Sequence, residues 1–271
     1  MPARSGGADV ATLAARAQGL LAAHHANRPL LLPNVWDAAS ARAVEGAGFD
    51  AVATSSRAVA QVLGETDDDS TDPDLVFGWV ARIARTVSVP VTADLEAGYR
   101  LAPAELVERL LEAGAVGCNL EDSDHHGGGV LVEAERQAAY LAGVRAASEA
   151  AGVHVVLNAR VDAFIRHFGD EGAQLREAIT RGRLYTEAGA DCVYPIAVAH
   201  NGEIAKLVDS VPGPLNVMAR RGGFRISELA TLGVRRISLA SGLFQMVGEY
   251  LREVAGRLAA GVELDDLGAP S

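Results

Sequence analysis

The sequence predicts an α/β chain folded as a single (β/α)8 TIM barrel, and three observations carry that prediction. Eight short apolar runs recur, each followed by a polar or glycine-containing turn and then an alanine-rich helical pattern. The segments LLEAGAVGCNLED and YTEAGADCVYPIA repeat one layout of helix end, tight turn and buried strand. No composition break or long linker divides the 271 residues, a length that suits one barrel of about 250 residues. A doubly wound open sheet competes, but it usually opens on a Gly-rich phosphate-binding turn, and the first turn here is NVWDAAS.

Taken in order, residues 1–9 (MPARSGGAD) read as a loose tail and residues 10–261 as the barrel domain. VATLAARAQGLLAAHH predicts an extra helix ahead of the first strand, with His24 and His25 at its surface or in an interface. The strand runs are 29–35, 51–56, 89–96, 115–122, 153–160, 191–197, 214–220 and 235–241. Helical patterns such as DAASARAVEGAG, LVFGWVARIARTV, APAELVERLLEAG and LREAITRGRLYTEAG lie between them, and Asp37 stands where it would cap the first of these. A long apolar helix over 242–261 closes the domain, and residues 262–271 read as a second tail.

Bulk properties narrow the function. A net charge of −11 argues against nucleic acid or an anionic membrane as partner. No apolar run reaches the roughly 18–20 residues of a membrane span, and the first twenty residues lack a signal-peptide core, so a cytoplasmic location is expected. Cys118 and Cys192 lie in strand-like runs, as small core residues do, and no Cys/His spacing suggests zinc. Lys206 is the only lysine, on a surface-helix pattern, which sets aside Schiff-base chemistry.

In such a barrel the C-terminal ends of the strands build the active site. The third run ends in TADLE, placing Asp94 and Glu96 on one side of the strand. The fourth ends at Glu121 and Asp122, the fifth at Asn158, Arg160 and Asp162, and the acidic loop ETDDD (65–69) follows the second. Carboxylates converging from neighbouring strand ends repel unless protonated or bound to a cation, and hard oxygen ligands of this kind suit Mg2+ or Mn2+. Arg160 offers fixed positive charge to a substrate carboxylate or phosphoryl group.

The phrases TADLEAGY, GCNLEDS, LNARVDAF and EAGADCVYP, preceded by PNVWDAASARAVEGAGFDAVATSS, resemble the isocitrate lyase/phosphoenolpyruvate mutase superfamily over roughly residues 15–255. That family's third-strand motif is D-x-D-x-G-Y-G; its second Asp is Glu96 here, and the glycine after Tyr99 is Arg100. The resemblance implies Asp94 as the direct Mg2+ ligand, with Glu96, Glu121 and Asp67 (or a neighbouring acid of its loop) acting through metal-bound water. It implies a substrate carboxylate held by Thr54, Ser55, Ser56 and Arg57 after the second strand, Arg57 being a departure, and by Arg160 with Asn158 beside it. It also implies a homo-oligomer, a tetramer or dimer, with C-terminal helices exchanged between subunits.

The segment CNLEDSDHHGGG (118–129) departs most, because the family's gate after L-E-D is longer and carries Cys or Lys in its motif. Three readings stay open: His125 or His126 replaces the missing acid/base, a water or outside residue supplies the proton, or the site binds without catalysis. Tyr99 could hydrogen-bond a substrate oxygen or simply pack. The expected activity is a Mg-dependent lyase cleaving a C–C bond in a small 2-oxo or 2-hydroxy carboxylate through a metal-stabilised enolate. The alternatives are P–C chemistry on phosphonopyruvate-like substrates, a metal-independent phosphate-gripping enzyme using ARRGGF (219–224) and SGLF (241–244), and a non-catalytic acid-binding protein.

Overall fold

The computed structural model describes residues 9–267, so 1–8 and 268–271 of the predicted tails (1–9 and 262–271) lie outside the described residues. Asp9 belongs to the fold: its carboxylate accepts from Thr12 N and caps α1 (Val10–His24). The chain continues as β1 (Leu30–Leu32), β2 (Asn34–Val35), α2 (Ala38–Gly46), β3 (Val52–Thr54), α3 (Ser56–Leu63), α4 (Pro73–Ala84) and β4 (Val91–Asp94). Next come α5 (Pro103–Glu112), β5 (Gly117–Glu121), β6 (Ser123–Asp124), β7 (Val130–Leu131), α6 (Ala134–Ala150) and β8 (Val156–Val161). The last are α7 (Glu171–Glu187), β9 (Cys192–Pro195), α8 (Asn201–Ser210), β10 (Asn216–Met218), α9 (Ile226–Thr231), β11 (Arg236–Ser238) and α10 (Gly242–Ala259).

The strands β2-β3-β4-β5-β8-β9 form one parallel sheet, and β1-β11-β10 form another. Two links join them. Pro33, which has no N–H to offer a ladder, divides one stave into β1 and β2, and Val193 bridges Leu215 in parallel at the other seam. Counting β1 and β2 as one stave, eight parallel staves close on themselves in chain order, with the helices outside, as predicted.

The outer core packs the helices on the sheet, from Val35 and Ile83 through Leu106, Leu141 and Tyr185 to Ile237. A second cluster seals the N-terminal end, where Leu13, Ala17 and Leu20 of α1 meet Leu30, Leu32, Ala53, Val116 and Val156. Gly117 permits that seal: a Cβ there would stand 3.0 Å from Leu20 Cδ2, Thr92 Oγ1 and the Val156 carbonyl. His24, expected at the surface, is fully buried, because it continues the 13-17-20 stripe of α1 that faces the barrel.

Inside, the barrel is polar where aliphatic layers are usual. Arg236 is fully buried, donates to Asn119 Oδ1 at 3.0 Å and lies 3.5 Å from His24 Nε2. Asn158 Nδ2 reaches the same Asn119 oxygen at 2.8 Å. Asn34 ties Thr54 O to Leu239 N, and Ser238 Oγ donates to Asn216. Both cysteines are buried with thiols pushed up to about 12 by burial, as core residues.

Candidate active site

Asp94 ends β4, and the αL backbone that follows turns Glu96 (φ 50°) back toward the strand ends. Asp94 Oδ2 accepts from Ser56 N and Oγ at 3.3 and 3.2 Å, while its Oδ1 is buried without a partner. Burial raises its pKa against the opposing pull of Arg160. Thr54 Oγ1 accepts from Asp94 N, and Ser55 caps α3, so the 54–56 segment holds the strand end in place.

Glu96 is 3% exposed and accepts from Asp69 N and, at 3.1 Å, from Tyr99 OH. Burial, then repulsion from Asp67, push its pKa up to about 8. Tyr99 is therefore spent on Glu96 in this arrangement. Glu121 ends β5 between Arg160 and His125: Oε2 meets Arg160 Nη1, and Oε1 meets His125 Nε2. Burial pushes Glu121 up to about 7 although Arg160 opposes it. The Glu121 contact first of all raises His125.

Arg160 is fixed by Asp162, which accepts from Nε at 2.7 Å and Nη2 at 3.0 Å. Asp122, adjacent to Glu121, faces away from this group. Its carboxylate takes Asp162 N, Arg181 Nη1 and Tyr185 OH, while its carbonyl accepts from Val132 N, so it anchors the loop. The loop itself is a hairpin, β6 against β7, rather than an unstructured turn. His126 lies 3.4 Å from Asp69.

A cavity of about 330 Å3 opens at the C-terminal ends of the strands, lined by Asp94, Asp67, Ser55, Ser56, Arg57, Asn119 and Arg160. Ile165, Ile196, Met218 and Leu239 form an apolar wall, and Arg220, Ser241 and Gly242 complete the rim. Three arginines thus face two carboxylates in one space. The segments 219–224 and 241–244 contribute to this cavity rather than to a separate phosphate site; Arg221 points elsewhere, toward Glu249 at 3.5 Å.

The predicted residues divide. Asp94, Asp67, Ser55, Ser56, Arg57 and Arg160 share the cavity. Asn158 sits a layer deeper, Thr54, Glu96 and Tyr99 line a small neighbouring space with Asp94, and Glu121, His125 and His126 border a different cavity. Among the described residues, no three His, Cys, Asp or Glu side chains converge as a closed metal cage. The group offers instead one partnerless buried oxygen, Asp94 Oδ1, with Asp67 close enough to raise its pKa. That donor set fits a hard cation that keeps much of its water shell, as Mg2+ does. Asn119 and Arg236 were not singled out from sequence; the signal was a polar residue inside an apolar run, in GCNLED and RRISLAS.

The profile described as phosphoenolpyruvate phosphomutase matches residues 20–259. Uncharacterized protein Rv1998c of Mycobacterium tuberculosis is 30% identical over 219 residues, 80% of each chain. A 2-methylisocitrate lyase of Halalkalibacterium halodurans is 28% identical over 226 residues, 80% of this chain and 70% of that one. A crystal structure from Burkholderia cenocepacia J2315, classed with the phosphonomutases, is 36% identical and superimposes with a TM-score of 0.84, covering 89% of this chain and 99% of its own. With barrel and strand-end motifs in agreement over that span, the chain belongs to the phosphoenolpyruvate phosphomutase family, within the isocitrate lyase/phosphoenolpyruvate mutase superfamily.

Proposed function

We propose that this protein is a divalent-metal-dependent lyase that cleaves a C–C bond in a small 2-oxo or 2-hydroxy carboxylate. Its relatives are lyases and phosphonomutases, which restricts the chemistry to C–C or P–C bonds. The observation that carries the reading is the cavity itself: Arg57, Arg160 and Arg220 share its lining with Asp94 and Asp67 and with apolar Ile165, Ile196 and Met218. An anionic head bound among the arginines leaves a carbon skeleton against Ile165, Ile196 and Met218.

Asp94 would hold the cation directly, with Asp67, Glu96 and Glu121 around its water shell. Bound there, Mg2+ supplies Lewis-acid polarisation of the substrate oxygen that gains charge. Arg160 orients the carboxylate: three of its N–H groups are taken by Asp162 and Glu121, and a guanidinium has five. A substrate oxygen that draws Nη1 away frees the Glu121 carboxylate, whose burial raises its pKa and suits it to accept the hydroxyl proton as the C–C bond breaks. His125, on the other Glu121 oxygen, exchanges that proton onward.

Oligomerisation supports the same reading. No residue of α10 is buried, and Met246, Val247, Tyr250 and Leu251 are exposed, which suits packing against another copy of the chain. Among the described residues, no helix is long and apolar enough to cross a membrane.

Thermal unfolding with Mg2+ and oxalate tests the proposal. At 100 times the dissociation constant, binding adds about 2.7 kcal/mol, a rise of roughly 5–10 °C for a chain this size. The rise should need both components and vanish in Asp94→Asn; no rise in any combination sinks the metal reading. Rearrangement of a P–C bond is the second reading, favoured by Arg57 and Arg220 on the rim, and phosphorus NMR with phosphonopyruvate separates it.

A further inference from the structure

A second cavity, of about 500 Å3, adjoins the first without sharing its floor. Glu121 and His125 border it, whereas Asp94 and Arg160 do not, so the Glu121–Arg160 contact stands between the two spaces. Its acids are already engaged. Asp69 takes Tyr99 N and faces His126, Glu121 holds Arg160 and His125, and Asp124 accepts from His126 N and Gly127 N.

Its two arginines are not engaged. Arg100 and Arg136 both line the cavity, and among the described residues neither makes a side-chain hydrogen bond or ion pair. The carboxylates of this space, Asp69, Glu121 and Asp124, all have partners, so the donors it leaves open to a ligand are those of the two guanidinium groups. Arg100 is held there at a cost. It adopts φ 57°, directly after Tyr99 at φ 52°, and a left-handed backbone is strained for an L-residue. A glycine would meet that turn without strain, so an arginine here is placed by its side chain rather than by its backbone. Arg136 sits in the first turn of α6 and lines the cavity with Gln137 of the same helix.

We propose that this cavity is a second anion site, taking a small multivalent oxyanion such as phosphate or a dicarboxylate between Arg100 and Arg136. Guanidinium groups match such anions with paired N–H donors. The two spaces share no lining residue, so the ligand is a separate molecule rather than the far end of the substrate. The site shares Glu121 and His125 with the catalytic group, so its occupancy acts on the wall between the two cavities.

The test is thermal unfolding and calorimetric titration of the whole protein with inorganic phosphate, no divalent cation added, against chloride at equal ionic strength. A saturable rise in melting temperature is expected in the unmodified protein and in Asp94→Asn, and its loss in Arg100→Gly and in Arg136→Gln. Arg100→Gly relieves the left-handed backbone, so it folds without penalty, and Arg136 is an exposed helical residue. Absence of any phosphate-specific rise overturns the proposal, as does a rise that survives both arginine variants. A rise lost in Asp94→Asn also overturns it, since the anion would then occupy the catalytic cavity. Oxalate with Mg2+ reads that cavity independently, so failure of either reading is distinguishable.

Discussion

Replacing Arg181 by methionine isolates the anchor beneath the active-site hairpin. Asp122 is fully buried, and Arg181 is the cation that meets it, Nη1 to Oδ2 at 3.0 Å. The same Nη1 donates to Val132 O at 2.8 Å and lies 2.9 Å from Tyr185 OH. Methionine keeps the apolar stem but strands a carboxylate and a carbonyl. Breaking one side of a buried pair costs about 3–5 kcal/mol, because a buried charge is left behind. For a chain this size that is roughly 6–20 °C of melting temperature.

The pH dependence of the loss fixes its cause. Burial first, then Asp162, already push Asp122 up to about 6, against 3.8 for an ordinary Asp, although Arg181 opposes them. A carboxyl with a raised folded pKa lends stability at low pH and loses it as pH climbs through that pKa. Without Arg181 the folded pKa rises further, so Arg181→Met should be hurt more at pH 8 than at pH 5. Equilibrium urea unfolding at both values measures this, and Asp122→Asn combined with Arg181→Met should recover part of the loss. A cost below about 1 kcal/mol at pH 8, or one equal at the two pH values, would refute the assignment of Arg181 as the neutralising partner.

Two further outcomes follow from the same geometry. His24 is held down to about 4 by burial and then by Arg236, so the unfolded chain binds its proton first; stability should fall as pH drops from 6.5 toward 4, by on the order of 3 kcal/mol, and His24→Gln should flatten that limb in urea titrations across this range. His125→Gln should lower kcat by about 10²–10⁴-fold with KM little changed, while His126→Gln keeps near-normal kcat; equal effects of the two would remove His125 from the proton exchange.

The barrel was legible because each stave is a short apolar run closed by a turn, and buried parallel strands leave that signature whatever their neighbours. Local rules also located Asp37 as a cap, realised as a box with Ser40. What escaped depended on partners distant in sequence. His24 sits on the buried stripe of α1, but its neighbour there, Arg236, comes more than two hundred residues later. The hairpin at 123–131 is pinned by Asp122 and Val132, which no local pattern in SDHHGGG announces. α3 begins two residues after β3, so its N-cap Ser55 and first residue Ser56 fell within a strand run. Asp94, Glu96, Glu121 and Arg160 were readable as strand-end charges, but their division between two cavities follows from which carboxylate Arg160 meets, a contact that spacing does not encode.

That division has an energetic counterpart in the backbone. Seven non-glycine residues among those described have positive φ; Asp69, Arg100, Ala197 and Ala240 line the two cavities, and Glu96 and Tyr99 line the small space beside Asp94. Each costs of order 1–3 kcal/mol, so the strain at this rim is comparable to a typical net folding stability of about 5–15 kcal/mol. The partnerless buried atoms among the described residues lie on the barrel strands β4, β8, β10 and β11: Thr92 Oγ1, Asp94 Oδ1, Asn158 Oδ1, Asn216 Nδ2 and Arg236 Nε. Strain and unmet polarity thus gather in the barrel's interior and at its C-terminal mouth, while the helix-facing core is apolar and well filled. A scaffold selected for stability alone would spread such costs or remove them. Their concentration around Asp94 and Glu121 is what a site keeps when its groups must meet a cation and an anionic substrate rather than one another.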